Sequence, residues 1–157
     1  MTWIIIRTDR AKESYVARRL RDELGFETWL PVQIIPCRPQ IARKVSAKAH
    51  VLKRKELPIL PRRVFVQMPP QANTDALQAV FGKTRHLVAI ERDGDQRPVR
   101  IASGAIEAFR AEIDRENEVS LALATRPNPK QKARWKSLRE GLQEAIASAK
   151  ELVEMAA

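Results

Sequence analysis

The chain has 157 residues, 44% of them hydrophobic and only 5% aromatic, with a formal net charge of +10. That length suits one ordinary domain or a small domain with an appendage, and no apolar run approaches the roughly 18–20 residues that span a bilayer. Cys37 is the single cysteine, which excludes an intrachain disulfide and points to a reducing, cytoplasmic setting, and the surplus of positive charge points to a polyanionic partner.

Trp3-Ile4-Ile5-Ile6 reads as a strand closed by Arg7. Residues 11–24 follow a helical period with Val16, Ala17, Leu20 and Leu24 on one face, and Gly25 stops the helix. A second strand is expected over Phe26–Val32. From Thr28 to Lys55 there is no acidic residue, yet Arg38, Arg43, Lys44, Lys48, Lys53, Arg54 and Lys55 lie within that stretch. With Pro36, Pro39 and no sustained periodicity, it reads as the tip of a long hairpin or a mobile loop. A third strand, Leu60–Met68, is entered abruptly at Pro61, and Pro69-Pro70 ends it. Asn73 or Thr74 then caps a short helix with Leu77, Val80 and Phe81 on its apolar side. His86–Ile90 reads as a strand, Asp93-Gly94 as a turn and Pro98–Ile101 as a short edge-like segment. Ser103 starts a helix that buries Ile106, Phe109 and Ile113.

The order over residues 1–116 is β-α-β-β-α-β-α. It builds an α+β domain with a four-stranded, mostly antiparallel sheet flanked by helices. Residues 117–127 read as a linker. Asn128 at the N-cap and Pro129 at the first helical position open a long C-terminal helix over 128–157. Trp135, Leu138, Leu142, Ala145, Ala149 and Leu152 recur along it in heptad spacing. Such a seam needs a partner: the chain's own domain, a second copy, or a further protein docked on Trp135, Leu138 and Leu142.

No glycine-rich phosphate loop is present, and His50 and His86 stand apart from Cys and acids at metal-ligand spacing. No Ser-His-Asp or Cys-His arrangement can be read, so no enzyme, metal or cofactor is expected. The basic residues are the remaining chemistry. Arg10, Lys12, Arg18 and Arg19 mark the start and outer face of the first helix. Together with Arg38, Arg43, Lys44, Lys48, Lys53 and Arg54 they are candidate phosphate contacts. The plainer alternative is a solvated face with Glu13, Asp22 and Glu23 as local partners. Trp3 and Trp29 are candidates for base stacking, but each stands in an apolar strand and is expected in the core.

Read in order, Trp3-Ile4-Ile5-Ile6-Arg7-Thr8, Gly25-Phe26-Glu27, Trp29-Leu30-Pro31, Leu60-Pro61-Arg62-Arg63-Val64-Phe65-Val66 and Arg97-Pro98-Val99 form a set. Over residues 2–116 this set resembles the N-terminal domain of the NusG family of transcription elongation factors. The resemblance implies a non-enzymatic elongation or antitermination factor. It implies an apolar patch on the clamp helices of the RNA polymerase largest subunit, and contact with DNA or nascent RNA. By position, Arg7, Pro61, Arg63 and Phe65 fall on that polymerase-facing surface. Arg63 stands where the family carries Tyr, and Arg7 where some members carry another aromatic. Charge at an apolar contact is costly unless paired. Either Arg63 meets an acid on the polymerase or the contact is lost, leaving a free-standing basic nucleic-acid-binding module. The helical C-terminus stands where the family usually carries a KOW β-barrel, which suggests a specialised paralogue from a phage or mobile element.

Overall fold

The computed structural model describes residues 2–37, 53–68, 84–123 and 127–156, with the backbone alone for 37, 53, 54, 123 and 152–156. In chain order the elements are β1 (Thr2–Thr8), α1 (Glu13–Asp22), β2 (Thr28–Trp29), β3 (Val32–Cys37), β4 (Lys53–Pro58), β5 (Arg63–Met68), β6 (Leu87–Ile90), β7 (Ile101–Ala102), α2 (Ser103–Leu123) and α3 (Pro129–Ala156). The short helix expected near residues 73–81 lies outside the described residues.

The main sheet runs β2-β5-β1-β6, with β7 also paired to β1, and every pairing is antiparallel. This is the expected α+β arrangement, with one short strand more than the sequence suggested. β1 sits in the middle and is covered on both faces. That is why Trp3–Ile6 is apolar without alternation. Ile4 and Ile6 face α1, in a core with Val16, Leu20, Val64, Val66 and Met68. Trp3 and Ile5 face the other way, in a larger core with Trp29, Phe65, Val99, Ile106, Ile113 and four residues of α3. Trp3 and Trp29 are thus core residues.

Gly25, at φ 71°, turns the chain after α1 so that the amides of Gly25 and Phe26 donate to the carbonyls of Arg21 and Leu20. The second strand expected from sequence is two pieces. β2 joins the main sheet, while β3 leaves it after Pro31 to form a separate two-stranded ribbon with β4, from Val32↔Pro58 to Cys37↔Lys53. The hairpin reading of the acid-free stretch therefore holds for its stem, and 38–52 lie outside the described residues. Asn117 on α2 fixes the base of the ribbon. Its Oδ1 accepts from the Ile34 amide at 2.9 Å and its Nδ2 donates to the Val32 carbonyl at 2.9 Å.

The helix opened by Ser103 runs to Leu123, so residues 117–123, expected to be linker, continue it. α3 opens as its sequence dictates. The Gln131 amide donates to Asn128 Oδ1 at 2.9 Å, and the Asn128 amide donates back to Gln131 Oε1 at 3.0 Å. Trp135, Leu138 and Leu142 of its seam, with Ile146 beside them, are buried against the chain's own sheet and α2, and Ala149 packs partly buried at the edge. Of the three partners the seam allowed, the chain itself supplies one. Gly141 lets α3 come close to α2, because a Cβ there would stand 3.1 Å from Phe109 Cε1. Among the described residues no helix is long and apolar enough to cross a membrane.

Candidate nucleic-acid interface

Three turns meet at one end of the main sheet. They are the β1–α1 connection, the Pro61-Arg62 turn entering β5, and the Arg85-His86 turn entering β6. Backbone bonds join them: the Thr8 amide donates to the Arg62 carbonyl at 2.9 Å, and the Asp9 amide to the His86 carbonyl at 2.9 Å. The buried Glu13 carboxylate accepts from the Arg62 amide at 2.9 Å, holding that turn onto the first turn of α1. Each turn contains a non-glycine residue in the left-handed region: Ala11 at φ 60°, Arg62 at 66° and His86 at 69°. Such residues cost about 1–2 kcal/mol each and gather where function fixes the backbone.

The product is a basic rim. Arg10, Lys12, Arg62 and Arg85 are all exposed there, and among the described residues none of their side chains has an ion pair or hydrogen bond. Asp9 is the exposed acid among these turns, and its Oδ2 faces His86 Nδ1 at 3.1 Å. Tyr15 packs edge-on against His86, with ring centroids 5.4 Å apart. The rim thus carries four uncompensated cations on a backbone locked by hydrogen bonds, a geometry suited to phosphate oxygens.

The sequence-derived residues divide against this frame. Arg10 and Lys12 belong to the rim, and Arg18 stands exposed further along α1. Arg19 is already engaged: it donates to Tyr15 Oη at 2.9 Å and pairs with Glu23 at 3.1 Å. The Tyr15 hydrogen bond first, and Glu23 second, raise the pKa of its guanidinium above the ordinary value. Arg38, Arg43, Lys44 and Lys48 lie outside the described residues, and Lys53 and Arg54 are placed on β4 by backbone alone. Arg62 and Arg85 were not singled out from sequence. Their signal was a basic residue in each of the two short turns that precede β5 and β6, which matters only once the turns are known to meet.

The residues expected on a polymerase-facing surface behave differently. Pro61 and Arg7 are exposed and Arg63 is half-buried. Phe65 is 0% exposed, its ring tilted against Trp29 at a centroid distance of 5.1 Å. In this arrangement it has no surface to offer a partner, because α2 and α3 close over that face of the sheet. Arg63, expected to seek an acid elsewhere, faces Glu91 of its own chain, as does Arg7; each Nε lies 3.9 Å from Glu91 Oε2. Lys150 of α3 donates to the other oxygen, Oε1, at 2.8 Å.

One other place was a candidate for small-molecule chemistry. A cleft of about 220 Å³ between α2 and α3 is lined by Glu112, Arg115, Glu116, Arg134, Ser137 and Leu138, with Arg134 paired to Glu116 at 3.4 Å. Its charges balance internally. Among the described residues no three His, Cys, Asp or Glu side chains gather at metal-binding distance.

A family model described as transcription termination factor nusG matches residues 1–110. The chain belongs to the NusG family. The match takes in the whole main sheet, the ribbon and the basic rim, and it ends within α2. α3 lies beyond it. No curated protein matches the chain. Membership makes this a transcription-related factor, in a family whose members bind RNA polymerase and nucleic acid and carry out no catalysis.

Proposed function

We propose that this protein is a non-enzymatic transcription elongation or antitermination factor that binds RNA polymerase and holds nucleic acid on the basic end of its sheet. The observation that carries the nucleic-acid half is the rim. Arg10, Lys12, Arg62 and Arg85 stand on three turns that are strained, tied together and inside the family match. The basic stem of the ribbon, with Lys53, Arg54 and Lys55, would extend this surface toward the acid-free segment that holds Arg38, Arg43, Lys44 and Lys48.

The polymerase half rests on family membership. The sheet face implied for docking on the clamp helices is the one that carries Phe65, and α3 covers it. Docking through that face requires α3 to leave it. Pull-down of RNA polymerase from cell extract at rising salt tests the reading. Apolar docking survives salt that abolishes phosphate-driven binding. Retention of polymerase at high salt is the expected result, and its loss in step with nucleic acid would overturn the polymerase half.

A second reading is favoured by the same helix. If α3 never leaves, the protein is a basic nucleic-acid-binding module that does not engage polymerase. Nucleic-acid binding with no polymerase capture at any salt is its signature.

A further inference from the structure

At the margin of the area covered by α3, one carboxylate faces three cations. Lys150 satisfies Glu91 Oε1 at 2.8 Å, while the Nε atoms of Arg7 and Arg63 stand 3.9 Å from Oε2, beyond hydrogen-bond reach. One negative charge against three positive ones leaves a surplus of two, and the close contact of Lys150 assigns that surplus to the arginines.

The two arginines occupy facing positions of adjacent antiparallel strands, Arg7↔Arg63, two residues beyond the Ile5↔Phe65 pair and on the same face of the sheet. Facing side chains on such strands start about 5 Å apart. Their side chains are 58% and 31% exposed, and neither makes a hydrogen bond among the described residues. Two adjacent guanidiniums, each with five donors in a planar fork, are suited to grip an oxyanion from two sides.

This fork is continuous with the basic rim, because Arg62 precedes Arg63 and its carbonyl accepts from the Thr8 amide next to Arg7. We propose that Arg7 and Arg63 form a subsite for a backbone phosphate of nucleic acid, carrying the basic end of the sheet onto its face beside α3. The proposal rests on the nucleic-acid reading of the rim. A phosphodiester chain fits better than a lone protein carboxylate because it presents one charge after another. Six cations, Arg7, Arg10, Lys12, Arg62, Arg63 and Arg85, follow one another here, while Glu91 is buried under Lys150 and Asp9 is occupied by His86.

The test uses the full chain and fluorescence anisotropy with labelled single-stranded DNA, its duplex and the matching RNA across a salt series. The variant Arg7→Gln/Arg63→Gln is expected to flatten the slope of log K against log salt by roughly 0.7–0.9, the equivalent of one phosphate contact, similarly on unrelated sequences. Arg7→Lys/Arg63→Lys should retain the slope. Arg63→Gln alone should remove about half of the effect, and it serves if the double variant loses its thermal midpoint. An unchanged slope in Arg7→Gln/Arg63→Gln, with a reduced slope in Arg10→Gln/Arg62→Gln, overturns the subsite and leaves the rim standing. No change in either variant overturns both. An unchanged slope with lost capture of nucleic-acid-free core polymerase overturns the subsite in favour of a protein carboxylate.

Discussion

Lys150 Nζ lies 2.8 Å from Glu91 Oε1, tying the later turns of α3 to the residue that follows β6. Because Glu91 also faces Arg7 and Arg63, the two ends of this contact are not equivalent. Lys150→Ala removes one charge-assisted bond at a partly exposed side chain and is expected to cost about 1–3 kcal/mol, toward the lower end because solvent screens it. Glu91→Ala leaves three cations facing one another and is expected to cost more than Lys150→Ala. Urea midpoints of the two variants give the order. Equal midpoints would mean that the arginines gain nothing from the carboxylate.

The Asn117 side chain hydrogen-bonds to the backbone of β3 at both the Ile34 amide and the Val32 carbonyl. Asn117→Ala orphans the Ile34 amide and the Val32 carbonyl at the base of the ribbon. The expected cost is about 1–3 kcal/mol for each group left buried, and less where water reaches it. Hydrogen exchange at Ile34 is the sensitive readout. It should quicken in Asn117→Ala while amides of β1 keep their protection. Uniform loss of protection would instead make Asn117 part of the global core.

The same residue shows why part of the fold was hidden in the sequence. Ile113, Asn117 and Ser120 follow one another at helical spacing, and all three are buried. Two of the three are polar, so the apolar period stops at Ile113 and residues 117–123 look like a linker although the helix continues. Where the buried residues were apolar, or the caps were local, the sequence was legible. The four-residue run of β1, the Gly25 stop and the Asn128 cap each depend on neighbours in the chain. The rim was only half legible. Arg10 and Lys12 stood beside a recognisable helix start, whereas Arg62 and Arg85 join them only through pairing of β1 with β5 and β6. Arg7 and Arg63 drew notice as departures from a family pattern, but their neighbour Glu91 lies more than twenty residues further along the chain.

Phe65 was expected at a docking surface and lies in the core. Phe65→Ala should therefore behave as a large-to-small core substitution, costing about 3–5 kcal/mol. It also removes the tilted contact with Trp29. Chemical denaturation measures the loss directly. A variant as stable as the parent chain would show that the ring is not packed as described.

The last prediction separates the two functional readings without cutting the chain. α3 holds to the sheet face through Trp135, Leu138, Leu142 and Ile146, and through Arg139, whose Nε donates to the Ile59 carbonyl at 3.2 Å. Deleting the whole helix would forfeit about 1.5–3 kcal/mol per buried seam residue, enough to threaten a domain worth about 5–15 kcal/mol in total. Leu142→Ala is milder. It is expected to cost about 2–5 kcal/mol, and the loss falls on the docking of α3 rather than on pairing within the sheet. If polymerase binds the face beneath the helix, a variant that loosens α3 should capture more polymerase than the parent chain, even though it is less stable. Limited proteolysis within α3 reports the loosening, and pull-down reports the capture. Faster cleavage with no gain in polymerase would separate the helix from any covering role, and would leave the free-standing nucleic-acid-binding module as the reading that stands.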